Sequence, residues 1–124
     1  MHIKISNLNS QPIYEQIADQ IKGLIMSGEL KEGHSLPSMR LLAKELRISV
    51  ITTKRAYEEL EREGFIISMT GKGSFVARQN MEFRREEQLR LIEEKLQEAV
   101  EAARFCKIGC EELKEMLNLI YKQE

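Results

Sequence analysis

Two amphipathic stripes with almost nothing between them constrain this chain more than any other feature. Met39, Leu42, Ala43 and Leu46 follow the i, i+3, i+4, i+7 spacing of a short helix. Thr53, Ala56, Tyr57 and Leu60 form the core stripe of a second one. Ser38 and Ser49 each stand where an N-cap hydroxyl is wanted, and Gly64 is placed to end the second helix. Two helices joined by so short a turn read as a helix-turn-helix. Such a turn needs a residue with positive φ, a task glycine usually performs; here Arg47 occupies it, so Arg47 is expected to be left-handed.

The flanking segments complete the pattern. Ile3 and Ile5 alternate with polar residues in the first ten positions, which suggests a brief strand in a short arm. Pro12 suits a first helical turn, Ile13, Ile17, Ile21, Leu24 and Ile25 recur at helical spacing, and Gly28 ends the run. Residues 29–36 read as a loop that becomes extended before Pro37. After Gly64 the period changes: residues 65–69 are rich in β-branched and aromatic side chains, Thr70, Gly71, Lys72 and Gly73 supply turn chemistry, and residues 74–77 run back. A hairpin directly after a helix-turn-helix is a wing.

From Met81 the chain is helical in character, with no Pro or Gly before Gly109. Leu89, Ile92, Leu96, Ala99, Ala103 and Cys106 are spaced 3, 4, 3, 4, 3, a heptad seam suited to packing on another helix. Gly109 is expected to stop that helix and Cys110 to cap a last one, with Leu113, Met116, Leu117 and Ile120 on one face. The expected fold is mainly α. A winged helix-turn-helix of three helices plus a β-hairpin occupies residues 1–79, and a two-helix dimerisation hairpin, folded back on itself, occupies residues 80–124. The residues expected at the dimer interface are Leu89, Ile92, Leu96, Ala99, Ala103, Leu113, Met116, Leu117 and Ile120.

Composition narrows the function classes. A 124-residue chain with 42% hydrophobic and 31% charged residues is an ordinary soluble chain. It has no bilayer-length apolar stretch and no secretory signal at its start, which points to the cytoplasm. Net charge is +2 over residues 1–80 and −3 over the remainder, so a DNA footprint must come from local placement. Cys106 and Cys110 are too few for a structural zinc site and are expected to be small buried or capping residues, not a disulfide. His2 and His34 have no partner cluster. No Ser/His/Asp, Cys/His or phosphate-loop constellation is present, so neither an enzyme, nor a metal, nor a cofactor is expected.

Three stretches carry a family resemblance. SLPSMRLLA at residues 35–43 resembles the LPS-x-R-x-LA signature of GntR-family regulators. Thr52 with KRAYEEL at 54–60, and GKGSFV at 71–76, are similar to the family at the right separations. The short helical tail resembles the YtrA-type subfamily. The resemblance implies a homodimer on a pseudo-palindromic operator in double-stranded DNA, and a repressor of its own operon, often one encoding an ABC transporter. Four positions depart from it: Val50 and Ile51 replace a common Arg-Asn pair, Arg47 replaces a common Gly, and Leu41 stands where a Glu is frequent.

The expected DNA-binding residues are Arg40, Ser49, Val50, Ile51, Thr52, Lys54, Arg55, Thr70, Gly71, Lys72 and Gly73. With Thr53, Ala56, Tyr57 and Leu60 facing the core, Ile51 and Arg55 point away, and Val50 and Lys54 lie on one flank. Lys54 and Arg55 can meet phosphates or guanine edges, whereas Val50 and Ile51 can offer only apolar contact, most usefully to thymine methyls. Ser49 and Thr52 can cap the helix and donate to phosphate. Arg40 is a DNA contact by resemblance, and Lys72 at the wing tip can reach a phosphate or the minor groove. The alternative is an effector-responsive switch; the 44 residues after position 80 are too few to enclose a drug-sized pocket, so a ligand would sit at the dimer interface.

Overall fold

The computed structural model describes residues 1–123, and these divide into two compact units that meet between Asn80 and Met81. The first unit contains α1 (Ile13–Ser27), α2 (Met39–Leu46), α3 (Val50–Arg62), β1 (Ile66–Met69) and β2 (Gly73–Val76). The second contains α4 (Met81–Phe105) and α5 (Cys110–Tyr121).

The first unit is built on apolar residues delivered by each element. Ile17, Ile21 and Ile25 of α1 meet Leu42 of α2, Ala56, Tyr57 and Leu60 of α3, and Phe65, Ile66 and Val76 of the hairpin region. Leu36 and Ile3 close the cluster from the two connecting segments. β1 and β2 pair antiparallel, Ile66 opposite Val76 and Met69 opposite Gly73. The outer edge of β2 is also occupied: Leu36 N–H donates to Ser74 O and Val76 N–H to His34 O, both at 2.9 Å. The extended stretch before Pro37 thus docks the wing onto the entry to α2, with a single bridge between Ser35 and Phe75.

The arm differs from expectation. Residues 1–6 form no strand, although Ile3 is buried. Two glutamine side chains on successive turns of α1 take the place of a partner strand. Gln20 accepts from Lys4 N–H at 2.8 Å and donates to Lys4 O at 2.6 Å. Gln16 accepts from Ser6 N–H at 2.9 Å and donates to Ser6 O at 3.0 Å. A primary amide offers the same donor and acceptor as a peptide unit, so the arm's backbone is satisfied without a second strand.

The helix ends follow local chemistry. Ser38 Oγ accepts from Leu41 N–H, and Ser49 Oγ from Thr52 N–H, each at 3.1 Å. Arg47 is left-handed, φ 58° and ψ 47°, as the turn requires. Its N–H and that of Ile48 return to the carbonyls of Lys44 and Ala43, the paired bonds of a Schellman ending.

The same ending recurs in the second unit. Lys107 has φ 58°, its N–H donates to Arg104 O, and Ile108 N–H donates to Ala103 O at 2.9 Å. Ala103, Lys107 and Ile108 therefore repeat the parts played by Ala43, Arg47 and Ile48. Two expectations are corrected here. Lys107, not Gly109, ends α4. Gly109, extended at φ −82° and ψ 168°, is the N-cap of α5, so Cys110 is its first helical residue.

Nor do α4 and α5 fold back on each other. Apolar burial in this unit is confined to the corner, where Ala103 is buried and Ile108 and Leu113 are half-buried. The two helices share little beyond that corner, so most of both apolar faces stays in solvent. Cys106 and Cys110, expected as buried or capping, are free and exposed. Among the described residues no helix is long and apolar enough to cross a membrane.

The left-handed Arg47 generates a test. A Cβ in this region costs about 1 kcal/mol, partly offset by the entropy a glycine loses on folding. Arg47→Gly should stabilise the first unit by about 0.5–1 kcal/mol, read from the shift in urea midpoint. A loss of stability would mean that the Arg47 side chain makes a compensating contact.

Candidate nucleic-acid interface

α3 is held in place by its buried side. Thr53, fully buried, donates from its hydroxyl toward Met39 O at 3.1 Å and Val50 O at 2.8 Å. Tyr57, one turn on, donates to Pro37 O at 2.6 Å. The two bonds fix α3 against the start of α2 and the segment before it, where Arg40 emerges. Burial, assisted by the carboxylate of Glu45, raises the Tyr57 hydroxyl above its ordinary pKa.

The opposite side of α3 faces solvent. Ile51 is 80% exposed and Val50 44%, so two aliphatic side chains stand in solvent side by side at the helix start. Their backbone amides find no acceptor among the described residues, as expected of a first turn. Ser49 and Thr52 hydroxyls lie 3.0 Å apart, so one of them is already committed to the other. Lys54 Nζ is 4.0 Å from Glu58 Oε1, a loose pair in water.

Arg55 does not stand free. Its guanidinium carbon lies 4.0 Å from the centroid of the Tyr14 ring, and Nη2 donates to Tyr14 Oη at 3.2 Å. Tyr14 belongs to α1 and was not among the residues singled out from the sequence.

Arg40 on α2 is exposed and makes no ion pair among the described residues. Thr70, Gly71, Lys72 and Gly73 form the exposed tip of the hairpin, closed by Lys72 N–H to Met69 O at 2.9 Å. Gly71 and Gly73 have φ of 77° and 105°, so the tip depends on glycine on both sides of the lysine. Every residue expected at the DNA site from α2, α3 and the wing thus belongs to the first unit, and all but the half-buried Thr52 are exposed. Among the described residues, no group of three His, Cys, Asp or Glu side chains could hold a metal ion.

Three helices with a tight left-handed corner between the second and third, followed by a hairpin with a cationic tip, define a winged helix-turn-helix regulator. The sequence profile of "Bacterial regulatory proteins, gntR family" matches residues 13–76, and the chain belongs to that family. It is 36% identical over 118 residues to the HTH-type transcriptional repressor YtrA of Bacillus subtilis (strain 168), covering 95% of this chain and 91% of that one.

Solved structures agree. A transcriptional antiterminator from Listeria monocytogenes EGD-e superposes with a TM-score of 0.76 at 32% identity, over 99% of this chain and 91% of that one. YtrA from Sulfolobus acidocaldarius, a GntR-family transcription factor, gives 0.64 at 40% identity, over 76% and 95%. The DNA-binding domain of AraR, solved in complex with operator ORE1, gives 0.53 at 25% identity, over 62% and 94%. The chain is a transcriptional regulator of the YtrA-type branch of the GntR family, and not an enzyme.

Tyr57 supplies a pH test. Its folded pKa is raised, so the stability it contributes is complete below the unfolded value of about 10 and is lost as pH rises above it. At neutral pH, Tyr57→Phe should cost about 1–2 kcal/mol, because Pro37 O loses its donor in a buried place. That deficit should shrink on raising the pH past about 10, in denaturant titrations of both proteins. A deficit independent of pH would show that Tyr57 ionises alike in both states.

Proposed function

We propose that this chain represses transcription as a homodimer bound to a pseudo-palindromic operator, with its own operon as the target. The observation that carries the reading is the first turn of α3. There, two solvent-exposed aliphatics and unpaired amides stand beside Lys54 on the helix that this fold presents to a major groove. In this reading the amides of that turn and Ser49, Thr52, Lys54, Arg55 and Arg40 hold phosphates or guanine edges. Val50 and Ile51 sense thymine methyls, and the tip formed by Thr70, Gly71, Lys72 and Gly73 lies over the backbone or minor groove. Likeness to a repressor named YtrA and to a domain solved on its operator supports the assignment. An ABC transporter among the products of the regulated operon is the expectation the subfamily brings.

Positioning and reading are separable by salt. Lys72→Ala should weaken binding to all duplexes alike and lower the salt slope by about one unit per domain. Ile51→Ala should leave the slope unchanged and weaken only duplexes carrying the thymine it touches. The titrations use a duplex enriched by the wild-type chain from a random pool, and a scrambled one. A change of sequence preference from Lys72→Ala, with uniform weakening from Ile51→Ala, would reverse the two assignments.

The dimer rests on apolar area that one chain leaves in water. Leu89, Ile92 and Leu96 of α4 and Met116, Leu117 and Ile120 of α5 are each 45–57% exposed. Ala99 lies on the same exposed seam, and Leu113 is half covered at the corner. Ala103 is already buried within its own chain and offers a partner little. A charge at Leu96 costs an isolated chain little, since the side chain is half in solvent, but would be buried in a dimer. Leu96→Asp should therefore convert the protein to monomer in light scattering while leaving its helix content intact. A dimer that persists unchanged would place the interface elsewhere.

A further inference from the structure

α3 carries three cations along its length, and they are held in different ways. Lys54 faces the carboxylate of Glu58, and Arg62 bonds the carboxylate of Glu59. Arg55 alone of the three is held by an uncharged group, the ring and hydroxyl of Tyr14, contributed by α1 from 41 residues away. The phenol oxygen accepts from Arg55 Nη2 and is itself in hydrogen-bond range of Glu15 Oε1, at 3.3 Å.

The difference has a physical consequence. A carboxylate partner neutralises a cation and must be displaced before a phosphate can take its place. An aromatic face holds a guanidinium while leaving its charge and its in-plane edges available. Of the five N–H donors on a guanidinium, the contact with Tyr14 uses one. The stack also fixes the plane of a side chain that would otherwise sample many rotamers. Ordering such a side chain at the moment of binding weakens affinity by about 2- to 12-fold.

We propose that Tyr14 is a positioning residue for DNA recognition. Its ring holds the Arg55 guanidinium in a preset plane, so that the free edge meets a phosphate or guanine without first being ordered. The proposal rests on the reading of Arg55 as a DNA contact and adds to the site a residue of α1 that need not touch DNA. Tyr14 is half-buried at the start of its helix and packs against the edge of the core cluster, which is why a melting curve accompanies each variant.

The test is a double-mutant cycle on the full chain, with salt titrations against the pool-selected duplex and melting curves for every variant. Tyr14→Leu should weaken binding by about 2- to 12-fold per domain with the salt slope unchanged, since the Arg55 charge is still there. Tyr14→Phe keeps the ring and should lose less. Arg55→Ala should weaken binding and lower the slope by about one unit, and adding Tyr14→Leu to it should change nothing more.

Equal weakening by Tyr14→Leu in both backgrounds would overturn the proposal, because Tyr14 would then act on DNA or on the fold directly. So would unchanged affinity in Tyr14→Leu while Arg55→Ala binds weakly. If Arg55→Ala itself binds normally, the reading of Arg55 as a DNA contact fails first and the positioning role falls with it.

Discussion

The burial of one side of α3 organises the DNA-binding unit. Ala56, Tyr57 and Leu60 sit against α1 and the hairpin, and Thr53 and Tyr57 spend their hydroxyls on the carbonyls of Met39 and Pro37. A helix clamped so firmly on one side has little freedom to roll. Its other side is therefore presented in a fixed orientation, and the exposure of Val50 and Ile51 follows from the registry of the buried stripe. The wing depends on the same clamp. Residues 33–36 run beside β2 before the chain reaches Pro37, so the bond from Tyr57 also steadies the hairpin's outer edge.

The two corners show one local device put to two uses. Ala43, Arg47 and Ile48 make the same turn as Ala103, Lys107 and Ile108. In the first unit a third layer, α1 and the hairpin, covers the helices that leave the corner. The second unit has no such third layer of its own, and the apolar faces of α4 and α5 stay half in solvent. The turn is equally well formed in both places. What differs is whether the same chain supplies something to pack on, and that is why the second unit reads as a surface awaiting another molecule.

Local rules made much of the first unit legible. Serines at positions 38 and 49, the stripes beginning at Met39 and Thr53, the switch of period after Gly64 and the glycines around Lys72 each state their structure within a few residues. The left-handed backbone at Arg47 was legible for the same reason, because a turn that short admits few conformations. The equivalent role of Lys107 was also written locally, in the spacing from an alanine to a basic residue followed by isoleucine. There the nearby Gly109 was the more obvious breaker and drew the assignment two residues too far.

The sequence by itself determined the order of the helices and the wing, the caps of α2 and α3 and the helix-turn-helix corner, since all of these depend on neighbours within one or two turns. It also determined which side of α3 is core. Only the tertiary structure decided that glutamines of α1 clamp the arm in place of a strand, because their partners lie 10 and 16 residues away. Only it decided that Arg55 rests on Tyr14 across 41 residues. The splay of α4 and α5 belongs with these, since a heptad seam states that a helix wants a partner but not which helix supplies it. Contacts between elements arise from how buried faces are set against one another, and no local pattern in the chain encodes that distance.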